Sequence, residues 1–408
     1  MKTNLLKITT LSVLASSVLM ASGYKIPETS TNSVALSGAN VAHVSSADAA
    51  YDNPANMIFM DDKNHLEVDL MYVGLSATQY DGNVNGAGPY SLTSQEQTFI
   101  IPSVHYVSPK LGENDVRIGL SIVVPGGLTR EWLEQPAQSV AEEFTLQIIE
   151  VNPTVAYKLT KNLAFAVGLR FVHSSGVVKS SGQISRDMNG NSNDVGYNFA
   201  FAYKPTSEID LAITYRSKVD LGQEGNAKLF VGDAKVYDGG AAVSVPLPAT
   251  LTVALAYTFS TKTTVEFMYD KTYWSGYENL TFTYTSPISN ILQPFFATPI
   301  AKNWEDTEAF RLGITQKLED MTLMAGAVID HSPTPEATLN FESPGSDSLS
   351  FSLGGRYKLN DTLDIGLSAL YSMKEDRKVS GSVNVNGIDG EFTNSNALLI
   401  SAGVGYRF

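Results

Sequence analysis

Few residues of this chain are spaced for bond-making chemistry, and the exceptions are arginines. His43, His65, His105, His173 and His331 lie too far apart for metal-ligand spacing, and Asp330-His331-Ser332 is contiguous, so alternate residues face opposite ways and cannot by themselves form a triad. No Gly-x-Ser-x-Gly elbow and no phosphate-cradling glycine loop with lysine occurs. The chain has 0 cysteines, which rules out disulfides and thiolate metal sites. What remains are Arg117, Arg170, Arg216, Arg311, Arg356 and Arg407, each at an inward position of an alternating segment. An inward guanidinium can pair a carboxylate that would otherwise be costly to desolvate. Arg170 and Arg216, towards the long-loop ends of their segments, are the preferred pair. Most such arginines pair with protein acids instead, and that alternative stands for every one of them.

The elements that would position these arginines are strands of period two. At the C-terminus, Leu398, Ile400, Ala402, Val404, Tyr406 and Phe408 face one way, against Leu399, Ser401, Gly403, Gly405 and Arg407. One face apolar and ending in aromatics, the other small or charged, is the pattern of a strand between lipid and a polar lumen. Comparable runs cover roughly 65–78, 95–107, 115–124, 148–159, 162–172, 194–204, 208–218, 250–259, 263–274, 307–317, 321–330, 348–359, 362–373 and 396–408. Their connections alternate between short (108–114, 160–161, 205–207, 260–262, 318–320, 360–361) and long (79–94, 125–147, 173–193, 219–248, 275–306, 331–347, 374–395). That alternation predicts an all-β fold: a 14-stranded antiparallel transmembrane β-barrel with short periplasmic turns and long extracellular loops, closed so that no strand edge meets lipid. A soluble β-sandwich is the alternative, but gives no reason for such regular alternation.

Residues 1–22 read as a secretory signal: Lys2 and Lys7, an apolar stretch from Leu11 to Met20, then Ala21 and Ser22. Its removal takes two lysines from 28 basic residues and none from 42 acidic ones, a balance that disfavours nucleic acid. Residues 23–64 lack periodicity and are assigned to an N-terminal plug, leaving 65–408 for the barrel. A mean hydropathy of −0.04 suits a barrel whose lipid face is diluted by a polar lumen.

Within 23–64, Gly23-Tyr24-Lys25-Ile26-Pro27-Glu28 and Asp52-Asn53-Pro54-Ala55-Asn56-Met57 resemble the plug of the outer-membrane long-chain fatty acid transporter family, which carries Asn-Pro-Ala there. Further matches follow in order: Val124-Pro125-Gly126-Gly127 through Trp132; Leu247-Pro248-Ala249-Thr250 with Tyr273-Trp274-Ser275; and Asn303-Trp304-Glu305-Asp306-Thr307 with Asp330-His331-Ser332-Pro333. The resemblance implies passive, cofactor-free uptake by a monomer seated in outer-membrane lipid. Long-chain fatty acids or other hydrophobic small molecules would be caught by outer loops and released sideways beside a kinked third strand. Family members also carry aromatic hydrocarbons, and a non-transporting structural or adhesin barrel is a further alternative; an enzyme such as a lipase finds no support in the motifs.

On that footing, the loop from Leu128 to Leu146 reads as two short helices broken at Pro136. Leu128, Trp132 and Leu133 share one face, Val140, Ala141 and Phe144 another, and Ser139 with Glu142 reads as a capping box. Exposed, these faces would form a capture groove; alternatively they pack on each other. Tyr24, Asn53, Pro54 and Ala55 would gate from the plug, although Asn53-Pro54-Ala55 is also a simple turn. Strand three runs into Pro125-Gly126-Gly127, and a break in its pairing is expected between Gly119 and Pro125.

Overall fold

The computed structural model describes residues 23–112 and 115–408, so the signal assigned to 1–22 lies outside the described residues. Fourteen antiparallel strands close a barrel: β1 His65–Leu75, β2 Gln97–Val107, β3 Val116–Arg130, β4 Glu143–Lys158, β5 Leu163–Ser180, β6 Ile184–Tyr203, β7 Ile209–Arg216, β8 Ala249–Thr258, β9 Thr263–Tyr273, β10 Thr307–Lys317, β11 Met321–Asp330, β12 Ser348–Lys358, β13 Leu363–Lys374 and β14 Ala397–Arg407. Closure is made by β1 on β14, in register from His65↔Arg407 to Leu75↔Ala397. Period two sorts the faces as expected. In β12, Leu349, Phe351, Leu353 and Tyr357 are exposed to the lipid side, while Ser348, Ser350 and Ser352 are buried inside.

The long connections are more ordered than loops. β3 to β6 continue past the barrel as two tall hairpins, and a third hairpin, Val219–Val231 with Ala234–Leu247, pairs with the upper part of β6. Above the β1 side, Gln79–Val84, Ala87–Thr93, Arg377–Val379 and Ile388–Thr393 form a separate capping sheet. The two helices expected between Leu128 and Leu146 are mostly absent. Leu128 to Arg130 and Glu143 to Leu146 belong to β3 and β4, paired from Leu128↔Leu146 to Arg130↔Phe144, which leaves one helix, Gln138–Ala141. Its N-cap is Ala137 with no side-chain bond, and Ser139 Oγ donates instead to the Pro136 carbonyl at 2.6 Å, so Ser139 and Glu142 form no capping box.

Residues 23–60 pack against the inner face of the wall, while Asp61 to Lys63 are exposed. Ser30 and Ser33 cap the helix Thr31–Ala35 reciprocally. Asn53 caps the turn Pro54–Phe59 by accepting from Ala55 N at 3.1 Å, with proline at the first position, where no N–H is needed. Ala55 and Met57 pack on Ala156, Ala164, Ala166, Ala200 and Ala202 of β4 to β6, a wall of small side chains that leaves room for this turn. Gly119 serves the same fit, since a Cβ there would lie 2.7 Å from Met57 Sδ. The barrel also holds the segment by polar bonds. Glu266 accepts from three consecutive amides, Val41 (2.7 Å), Ala42 (2.8 Å) and His43 (3.0 Å), and Arg311 bridges Glu28 (3.1 Å) to Asp270 (3.0 Å).

Candidate functional site

The wall is weakest between β2 and β3. These strands pair only from Val104↔Ile122 to Val107↔Gly119, whereas β3 and β4 pair along most of their length. Gly119 is therefore paired, contrary to expectation; the unpaired stretch starts after Ile122. There β3 slips register against β4 between Val123 and Gly126. Proline has no N–H to offer a ladder, and Pro125 turns its carbonyl inward, where Ile26 N donates to it at 2.9 Å. Gly127 N donates to the Tyr24 carbonyl at 2.6 Å. A Cβ at Gly126 would stand 2.7 Å from that same carbonyl, so the close approach needs glycine. The start of the inner segment is thus a short strand added to the kinked β3. Ile26, Phe99, Ile101 and Val124 cover the unpaired stretch from inside. Higher up, Gln95 N bonds the Glu131 carbonyl at 2.9 Å and closes the opening again.

Three cavities lie in sequence towards this opening. The outer one, about 240 Å³, is lined by Val140, Phe144, Val178, Phe282 and Ile300. Arg186 stands at its wall, 5.5 Å from the Phe282 ring centroid and 5.7 Å from that of Phe296, and donates to the Phe295 carbonyl at 3.0 Å. The inner one, about 30 Å³, shares Phe144, Val178, Leu280, Phe282 and Glu342 with the outer and adds Leu128, Val245, Tyr277 and Trp304. Tyr24 also lines it, its ring 4.7 Å from Trp274 and 5.6 Å from Trp304, its hydroxyl donating to the Pro246 carbonyl. Burial holds that phenol un-ionised, its pKa well above the usual value. The next residues, Lys25 to Pro27, line the lower cavity of about 90 Å³ together with Pro125, Arg170 and Arg216. Tyr24 therefore stands between the inner and lower cavities.

Arg170 and Arg216 do come together, but on Glu150. Arg170 reaches its Oε2 at 2.9 Å, Arg216 bonds its Oε1, and Arg216 also stacks 3.9 Å from the Tyr51 ring centroid. Arg117 binds the carbonyls of Met60 and Asp61, Arg356 pairs with Glu67 and Asp364, and Arg407 with Asp364. Close to Arg216, the Asp52 carboxyl is pushed well above its usual range by burial and, second, by Asp48.

Trp132 is not part of a groove. It is fully buried in the cap, donates from Nε1 to the Phe341 carbonyl at 3.0 Å, and packs with Tyr80, Leu92 and Phe392. Leu133 is 56% exposed beside it and lines none of the three cavities. Sequence reasoning passed over Glu150, although its place in an alternating run put an acid on the arginine face. It also passed over the buried pair of Lys302 and Glu342 on the inner cavity, for which two separate loops gave no signal.

The sequence model of the family described as outer membrane protein transport protein (OMPP1/FadL/TodX) matches residues 12–408. Long-chain fatty acid transport proteins of Salmonella typhi and Escherichia coli (strain K12) are 24% and 23% identical over 361 and 374 residues, each alignment covering 78% of this chain and 80% of the relative. Among solved structures, a Pseudomonas aeruginosa FadL homologue superposes with TM-score 0.82 at 18% identity, covering 94% of this chain and 99% of its own. The Ralstonia pickettii toluene transporter TbuX does so with TM-score 0.71 at 16% identity, covering 93% and 98%.

Proposed function

The chain belongs to the outer membrane protein transport family (OMPP1/FadL/TodX), whose members are outer-membrane β-barrels, and from that premise we propose that it admits long-chain fatty acids or comparable hydrophobic molecules without an energy source. Cargo enters from the extracellular side at the outer cavity, where Phe144, Val140 and Phe282 offer apolar surface. It moves past Phe144 to the inner cavity, and stops on Tyr24. The observation that carries the reading is the bond of Tyr24 and Ile26 to the kinked β3. Displacing Tyr24 to admit cargo breaks the strand that this segment adds to β3, at the height where β3 has lost β2. Cargo then leaves sideways between β2 and β3, because the path straight down is filled by the alanine-packed turn and the segment pinned on Glu266.

A second reading, passage of small aromatic hydrocarbons, is favoured by the size of the inner cavity, the smallest of the three, and by its ring of Tyr24, Tyr277 and Trp304. A catalytic role finds no support in the sequence motifs.

The test is uptake by cells lacking their own transporter and expressing this chain, with labelled oleate and labelled toluene compared side by side. Faster oleate entry, lost in Phe144→Ser with the barrel intact, supports the fatty-acid reading. Faster toluene entry alone moves the assignment to the second, and entry of neither leaves a barrel that transports no hydrophobic cargo.

A further inference from the structure

The inner cavity carries charges that an apolar chamber does not need. Lys302 Nζ bonds Glu342 Oε1 on its wall, with both side chains nearly fully buried (5% and 6% exposed). No other ionisable acid or base except the neutral phenols lines that cavity among the described residues. The pair is internally neutral but not saturated: Glu342 Oε2 and the neighbouring Ser343 Oγ, both buried, lack a hydrogen-bond partner. An ionised carboxylate oxygen can only accept, so Oε2 is satisfied by a donor and by nothing else.

Building on the transport reading above, we propose that the inner cavity takes its cargo as an uncharged molecule bearing a hydroxyl, a long-chain alcohol or a protonated acid, and discriminates against the carboxylate anion. The cargo hydroxyl donates to Glu342 Oε2, and Ser343 Oγ donates to the cargo oxygen. The chain then lies on Phe144, Leu280 and Phe282. An anionic head has no proton for Oε2 and places a second negative charge beside Glu342, where little water screens it. Lys302 cannot offset this, since its charge is already matched by Glu342. The outer cavity shares Glu342 but adds Arg186, a cation with no acidic partner within ion-pair distance among the described residues, which can offset a second negative charge. It tolerates the anion that the inner cavity refuses.

Trp304 lines the inner cavity, Trp274 packs 4.8 Å from it behind the wall and Trp132 lies apart in the cap, so the part of the quenching by brominated chains that depends on Trp304 reports on occupancy. The full chain in lipid nanodiscs is titrated at about pH 8, where a fatty carboxyl is ionised, with ω-bromoundecanol, ω-bromoundecanoate and bromoundecane. The signal of interest is the part abolished in Trp304→Phe. In the wild type the alcohol should bind at least about tenfold more tightly than the carboxylate, as expected for an uncompensated charge in a buried site. Glu342→Gln frees Lys302, and the carboxylate should gain at least about tenfold on the alcohol. Equal wild-type binding of alcohol and carboxylate, or an unchanged ratio in Glu342→Gln, overturns the proposal. Bromoundecane binding as well as the alcohol overturns head-group recognition and leaves the route intact. If none of the three quenches Trp304, the inner cavity is no cargo site and the transport route itself falls. The wild-type comparison stands whether or not the variant folds.

Discussion

Trp132 and Phe144 belong to one connection yet answer to different forces. Trp132 is enclosed by Tyr80, Phe341 and Phe392, so its removal leaves a hole in the cap. Truncating a buried tryptophan costs about 3–5 kcal/mol. Trp132→Ser should loosen the cap, seen as new trypsin cleavage at Lys378 on its edge. Phe144→Ser should leave Lys378 protected and slow uptake, because Phe144 lines both upper cavities. Nearby, His331 Nδ1 bonds Asp347 Oδ2 at 2.9 Å, and this bond raises the imidazole pKa above its ordinary value. A raised folded pKa contributes stability that is complete below the unfolded value of about 6.5 and fades as pH climbs through the folded value. Limited proteolysis of 331–347 should therefore be slower at about pH 5.5 than at about pH 8.5. His331→Gln should erase the difference, and a pH effect surviving in that variant would assign it elsewhere.

At the scale of elements, the barrel strands were legible because lipid on one side and a packed lumen on the other sort every residue, as in Leu349 to Tyr357 against Ser348 to Ser352. Above the membrane that sorting ends. Val219, Leu221, Ala227 and Leu229 of the third hairpin do alternate inward, but Gly222, Gly225 and Asn226 among them imitate a loop. The β3–β4 hairpin misled for the opposite reason: Leu128, Trp132 and Leu133 share a helical spacing, yet Leu128 pairs with β4, Trp132 is buried in the cap and Leu133 is left exposed. Glu266 and the Lys302–Glu342 pair depend on contacts between distant segments, which no local pattern encodes. Topology gives the check on the elements themselves. Lys235 is exposed at the tip of the third hairpin, and Lys161 in the short turn between β4 and β5, at the opposite end. Trypsin added to intact cells should cut at Lys235 and not at Lys161. Cleavage at Lys161 in intact cells would invert the barrel.

For the molecule as a whole, the inner segment divides into a fixed part and a releasable part. From Thr31 to Phe59 it is held by Glu266, by Arg356 on Asn32 and by the alanine wall, bonds spread over β4 to β12. Before that, Tyr24 to Ile26 hang on β3 by a few backbone bonds, on Trp274 and Trp304, and by single side-chain bonds from Tyr24 to the Pro246 carbonyl and from Lys25 to Thr272. Cargo can shift only what costs less than its own binding returns, so motion belongs to the part with few bonds. Ile26 and Val124 belong to one apolar cluster at the opening, and the chain has no cysteine of its own to interfere. Ile26→Cys with Val124→Cys, joined by a short cleavable bifunctional thiol reagent, fixes the releasable part to β3. Uptake should stop in the joined state and return when the reagent is cleaved, while each single cysteine transports normally. A second pair placed on the fixed part, Asn53→Cys joined to the inward-facing Ala202→Cys on β6, should leave uptake unchanged, because Asn53 already contacts β6 at the neighbouring Phe201 carbonyl, 3.5 Å away, and is not asked to move. Full uptake with the Ile26–Val124 link demonstrably formed would remove the β2–β3 opening as the exit. A block at Asn53 instead would transfer the motion to the body of the segment and send cargo down through the barrel.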